Sequence, residues 1–154
     1  MDFSDLLSQD AVIPVLRVQS KKQAIQELAA RAADLTGLAE RSIFDTLLQR
    51  ERLGSTGVGQ GIAIPHGKLA QLDHIVGLFA RLERPIDFEA LDDEPVDLIF
   101  LLLAPEGAGA DHLKALARIA RVLRDQATAA KLRASTDAAA IFTLLTHAAE
   151  PNAA

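Results

Sequence analysis

"VDLIFLLLA", residues 96–104, is an unbroken apolar run apart from Asp97. A membrane-spanning helix needs about 20 such residues, so the run is too short to be one. A strand with one wet face would alternate apolar and polar side chains. A continuous run instead predicts a central strand buried on both faces, and a sheet covered on both faces is the signature of an α/β architecture.

The flanking sequence supplies the covering helices. In "SKKQAIQELAARAADLTG", Ile25, Leu28, Ala29, Ala32 and Leu35 recur at helical spacing, with Ser20 as the N-cap and Gly37 as the stop. In "AERSIFDTLLQRERLG", Ile43, Phe44, Leu47 and Leu48 form a second stripe that Gly54 ends. "AVIPVLRV" reads as a short strand interrupted at Pro14, and "TGVGQGIAIPH" and "HIVGLFARL" as β-prone runs. Helix returns in "HLKALARIARVLRD", with Leu113, Leu116, Ile119, Ala120 and Leu123 on one side, and in "DAAAIFTLLTHAAE". The expected fold is a single-domain α/β sandwich over residues 1–154, a mixed β-sheet with helices on its faces. Its core spans about residues 3–148, and "EPNAA" forms a loose tail.

Composition narrows the function. The chain has no cysteine, which excludes disulfides, thiolate zinc sites and cysteine nucleophiles. A net charge of -5 and an aromatic content of 4%, with no Trp or Tyr, argue against a nucleic-acid binder. "MDFSDLLSQD" places acids where a secretory signal would carry Lys or Arg, so a cytoplasmic location without membrane insertion is expected.

Glycines 54, 57, 59, 61 and 67 crowd into "GSTGVGQGIAIPHGK", residues 54–68, a segment that needs positive φ or close backbone approach. A nucleotide-binding loop fails on spacing. Five residues separate Gly61 from Gly67-Lys68, where a Walker loop has four, and Leu69 stands where Ser or Thr is needed. "GVGQG" is not GxGxxG either, and it precedes a strand instead of joining a strand to a helix. Two readings of His66 remain: a polar residue in a turn, or a nucleophile presented at a strand end by Pro65, with Gly67 turning the chain away.

"RERLGSTGVGQGIAIPHGK" resembles the signature of the IIA proteins of the bacterial phosphoenolpyruvate-dependent phosphotransferase system, of the mannitol/fructose type. Nearly the whole chain, including "SKKQAIQELAARAA" and "PIDFEALDDEPVDLIFLLLAP", is similar to the nitrogen-regulatory branch of that family. The similarity weakens in "EGAGA" at 106–110 and after about residue 134. The resemblance implies the mannitol/fructose-type IIA fold and a histidine that takes phosphate from the phosphohistidine of an HPr-like carrier. It calls for no cofactor and no metal.

By motif position the implied acceptor is His66, attacking through Nε2 while its other ring nitrogen donates to a backbone carbonyl. The implied cation is Arg50, sixteen positions earlier, and the implied second histidine is His112, which donates a hydrogen bond to the phosphoryl group. These roles are chemically coherent. The attacking nitrogen needs its lone pair, a guanidinium binds two phosphoryl oxygens in a fork, and a helix N-terminus favours an anion beside His112. Arg52 is expected on the surface, and His74 and His147 are read as structural. Ser55 and Thr56 are candidates either to donate to phosphate or to satisfy the turn, Lys68 to recruit partners, and Asp111 to cap the helix. Leu69, Leu72, Val58 and Ile62 are assigned either to a landing surface or to the core.

The function this implies is a phosphohistidine carrier that regulates partner proteins according to its phosphorylation state, in nitrogen- and potassium-linked processes. The alternatives are a sugar-transport IIA component that passes phosphate to a IIB cysteine, and an interaction module whose histidine is never modified. The nitrogen-type wording of the loop and the lack of a fused IIB or membrane segment weigh against sugar transport.

Overall fold

The computed structural model describes residues 3–148. The tail expected at 150–154 lies outside them. A short helix α1 (Phe3–Leu6) and a 3-10 turn (Gln9–Ala11) lead into strand β1 (Val12–Leu16) and the helices α2 (Lys21–Thr36) and α3 (Glu40–Arg52). Strands β2 (Gly57–Gly59), β3 (Ile62–Ala63), β4 (His66–Leu69), β5 (Val76–Ile86) and β6 (Val96–Pro105) follow. Helices α4 (Ala110–Arg124), α5 (Gln126–Ala134) and α6 (Ala138–Ala148) close the described chain.

The strands form one six-stranded mixed sheet in the order β1-β5-β6-β3-β2, with β4 also paired to β6. From Leu98 to Ala104 every side chain of β6 is buried. Successive strand side chains point to opposite faces, so both faces are covered, as the apolar run predicted. Phe100 packs edge-on against Phe3 of α1 at 5.5 Å, while Phe79 of β5 tilts against it at 6.3 Å. Pro14 is accommodated because β1 lies at the end of the sheet order, and its register against β5 shifts between Ile13 and Leu16.

One edge of β6 pairs antiparallel with β5; the other pairs parallel with two strands in succession, β3 at Leu98–Ile99 and β4 at Leu102–Pro105. The break falls at Ile64–Pro65. Pro65 has no N–H to give the ladder, but its carbonyl accepts from Leu102 N at 2.9 Å, and Ile64 N donates to Thr56 O at 3.0 Å. His66 is therefore the first residue of a restarted strand.

Helix α2 follows the sequence closely. Ser20 accepts from Gln23 N, Gly37 closes the helix in the left-handed region, and Ile25, Leu28, Ala29 and Ala32 are buried. Helix α3 buries Ile43 and Leu47 and rests on β4 so tightly that a Cβ on Gly67 would lie 2.7 Å from Thr46 Cγ2. The turn expected at Gly67 is thus corrected. The strand runs on to Leu69, and glycine is required there for helix approach.

Two expectations for α4 also change. Its buried face carries His112, Ala115, Ile119, Val122 and Leu123, one residue's rotation from the stripe read in the sequence, and Leu113 is 67% exposed. The helix begins at Ala110 behind Gly109, so Asp111 is not its cap. Asp111 sits instead in the first turn, where the helix dipole favours a carboxylate. Helix α5, unmarked in the sequence reading, starts at the cap Asp125, which accepts from Thr128 N at 3.0 Å. From its last turn Arg133 donates to Asp97 and, at 2.8 Å, to Gln60 O, pinning the β2–β3 turn.

Candidate functional site

Three elements end at one cavity of about 470 Å³. The last turn of α3 brings Arg50, the start of β4 brings His66, and the first turn of α4 brings His112. All three predicted residues line this cavity, and Thr46, Gln49, Leu53, Gly67 and Lys68 complete its wall. Arg50 Nε donates to His66 Nε2 at 3.3 Å, and Arg50 Nη1 donates to Gly54 O at 2.9 Å. The guanidinium is anchored at a helix C-terminus, where the dipole favours a cation. The His66 and His112 rings meet edge to face with centroids 5.6 Å apart.

Hydrogen bonding assigns the tautomer of His66. Nδ1 lies 2.8 Å from Ile64 O, and a carbonyl oxygen only accepts, so Nδ1 carries the proton and donates. Nε2 is left with its lone pair, the group to which Arg50 donates. The ring is thus tied back to the carbonyl preceding Pro65, and its basic nitrogen is directed at the arginine.

The surroundings of both imidazoles favour the neutral form. Burial pushes the pKa of His66 below 6.5 and Arg50 pushes the same way, against opposing effects of the Ile64 carbonyl and Glu51. For His112, burial, His66 and Lys68 all lower the pKa. His112 is only 6% exposed, and its buried Nδ1 has no hydrogen-bond partner. A buried bare lone pair is tolerated better than a buried orphan N–H, so the ring proton belongs on Nε2, leaving His112 a donor. Among the described residues no group of three or more His, Asp or Glu side chains is placed to hold a metal ion.

The other candidates separate from this centre. Ser55 Oγ donates to Phe88 O at 2.7 Å and accepts from Gly57 N, while buried Thr56 is bound through N and Oγ1 to Glu51. Both serve the loop backbone. Arg52 and Lys68 are exposed, Lys68 at the cavity wall. His74 precedes β5 and His147 lies in the last turn of α6; neither lines the cavity.

Ile62, Leu69 and Leu72 are buried and Val58 packs against the core, so none forms a landing surface. The exposed apolar side chain at the cavity is Leu53, at 85% exposure; Leu113, also exposed, follows His112 in α4. For Leu53 the sequence carried a signal, since it lies past the last residue of α3; Leu113 was expected on the buried stripe of α4, and its exposure corrects that expectation. Glu51 was likewise overlooked: it continues the spacing of Ile43 and Leu47, an acid in an apolar stripe, and is 7% exposed.

The model of the "Phosphoenolpyruvate-dependent sugar phosphotransferase system, EIIA 2" family matches residues 5–148. A nitrogen regulatory protein of Bradyrhizobium diazoefficiens is 68% identical over 145 residues, covering 94% of this chain and 95% of the relative. Among solved structures, nitrogen regulatory protein IIA-Ntr from Neisseria meningitidis superposes with a TM-score of 0.88 at 35% identity, over 93% of this chain and 98% of that one. IIA mannitol from Escherichia coli shares the fold with a TM-score of 0.77 at 20% identity, over 90% and 98% of the two chains.

Proposed function

The chain belongs to the EIIA 2 family of the phosphoenolpyruvate-dependent phosphotransferase system and is thereby a phosphotransferase component; from that premise we propose that it is a phosphohistidine carrier. His66 accepts the phosphoryl group from an HPr-like protein in the cytoplasm, and partner proteins distinguish the two states. The observation that carries this reading is the pinned imidazole. Its Nδ1–H is held by Ile64 O, and its Nε2 lone pair faces a cavity wall bearing the Arg50 guanidinium.

The Nε2 lone pair attacks phosphorus on the donor's phosphohistidine. The donor N–P bond breaks as the Nε2–P bond forms, and the donor imidazole leaves with the electron pair. No proton has to move, because Nδ1–H stays bonded to Ile64 O and the carbonyl offsets the positive charge that develops on the ring. The transition state spreads charge over the equatorial oxygens, so fixed positive charge and positioning are what the protein must supply. Arg50 transfers its donor from Nε2 to those oxygens, and His112 donates from beside them. One N–P bond replaces another, which makes the step reversible, as a carrier requires.

A regulatory role is supported by the nitrogen regulatory relative. Phosphorylation adds roughly two negative charges in the cavity that exposed Leu53 lines, enough to reverse a partner's preference. Incubation with phosphoenolpyruvate, enzyme I and an HPr-like carrier will give an acid-labile phosphate on wild type and none on His66→Ala. No label on wild type would overturn the carrier reading. Prompt loss of the label to a IIB domain would favour the sugar-transport reading over regulation.

A further inference from the structure

Resting on His66 as the acceptor, we infer that Glu51 and Thr56 are positioning residues that set the tautomer and direction of the His66 ring through a closed circuit of hydrogen bonds. The circuit can be traced atom by atom. Arg50 Nε donates to His66 Nε2 at 3.3 Å, and His66 Nδ1 donates to Ile64 O at 2.8 Å. Ile64 N donates to Thr56 O at 3.0 Å, and Thr56 donates to the Glu51 carboxylate from its N, at 3.0 Å, and from its Oγ1. Glu51 is joined to Arg50 by the peptide bond, so the ring closes where it began.

The two ends of the reacting pair, cation and nucleophile, are therefore fixed relative to each other by one buried carboxylate. Shifting Thr56 moves Ile64, and with it the carbonyl that holds the proton on Nδ1. Without that acceptor, the Nδ1–H tautomer loses its advantage and the lone pair no longer rests on Nε2.

A buried carboxylate carries such a load only if its charge is balanced. Lys21 supplies the balance, with Nζ 3.1 Å from Glu51 Oε1 and 4.9 Å from the centroid of the Phe88 ring. The anchor thus joins the start of α2, the end of α3 and the loop before β2. This also accounts for the adjacency of the two side chains: Arg50 lines the cavity while Glu51 turns into the interior.

The test compares Thr56→Val, which keeps the shape and removes the Oγ1 donor, with Thr56→Ser, which keeps the donor. The readouts are the His66 ring 15N shifts in long-range 1H–15N spectra of the unphosphorylated protein, and the rate of phosphoryl uptake from a phosphorylated HPr-like carrier. Thr56→Val will move the His66 ring away from the Nδ1–H pattern and slow uptake about tenfold with the KM for the carrier unchanged. Thr56→Ser will restore both. If Thr56→Val does not fold, Glu51→Gln carries the same His66 readout. Wild-type 15N shifts in a folded Thr56→Val protein, whatever its melting temperature, would overturn the inference. Shifts that respond in a protein whose wild type takes no phosphate would sustain the positioning role and overturn the carrier reading.

Discussion

His66 works as a nucleophile only while its Nε2 lone pair is free, and the site lowers its pKa below 6.5, chiefly by burial and then by Arg50. An NMR titration will therefore place the His66 midpoint below 6.5, and phosphoryl uptake will hold level as pH falls to that value before declining. At Arg50 the account depends on fork geometry as well as charge. The side chain donates from Nε to His66 and from Nη1 to Gly54 O, an arrangement a single ammonium does not reproduce. Arg50→Gln will slow uptake by about 100-fold or more, on the scale of losing one charge-stabilising donor at a reacting centre. Arg50→Lys will recover part of that loss. Stopped transfer assays with folded variants measure both, and equal rates for Gln and wild type would contradict the role assigned to the guanidinium.

At the scale of elements, the site exists because α3 lies hard against β4, and Gly67 makes that approach possible. Gly67→Ala places a Cβ against Thr46 Cγ2, an overpacking that costs about 1–3 kcal/mol. The variant will melt earlier, and Gly67→Ala combined with Thr46→Ser, which removes that methyl, will regain most of the loss. A double variant no better than Gly67→Ala alone would show that the contact is not the cause. The sequence left this requirement hidden, because a glycine after Pro-His reads as a turn until the helix above it is known. Helix α2 and strand β6 were legible because periodicity, caps and an unbroken apolar run state them locally. Helix α4 was legible as a helix, but the position of its buried face was not, because the rotation that buries His112 and exposes Leu113 is set by the sheet beneath it. Arg50, His66 and His112 were reached through motif resemblance; their convergence depends on the restart of an edge strand at Pro65, which no local pattern announces.

For the whole molecule, the two lowered histidine pKa values give stability a definite pH dependence. Below 6.5 the unfolded chain binds protons that the folded site resists, so the contribution of His66 and His112 is complete above 6.5 and is lost as pH falls through their folded values. The lowered pKa of Asp92 and Asp125 act in the same direction but only below about 3.8, well separated from this window. Thermal melts between pH 7.5 and 5.5 will show a falling melting temperature, and His112→Gln will flatten the slope; an unchanged slope in that variant would contradict the burial assigned to the ring. The measurement that bears most directly on the account is a 1H–15N–31P spectrum of the protein after incubation with phosphoenolpyruvate, enzyme I and an HPr-like carrier. With His66 as acceptor, the spectrum will show one-bond coupling of phosphorus to Nε2 of His66, with Nδ1 still protonated. Phosphorus on Nδ1, on His112, or on no ring at all would contradict that assignment.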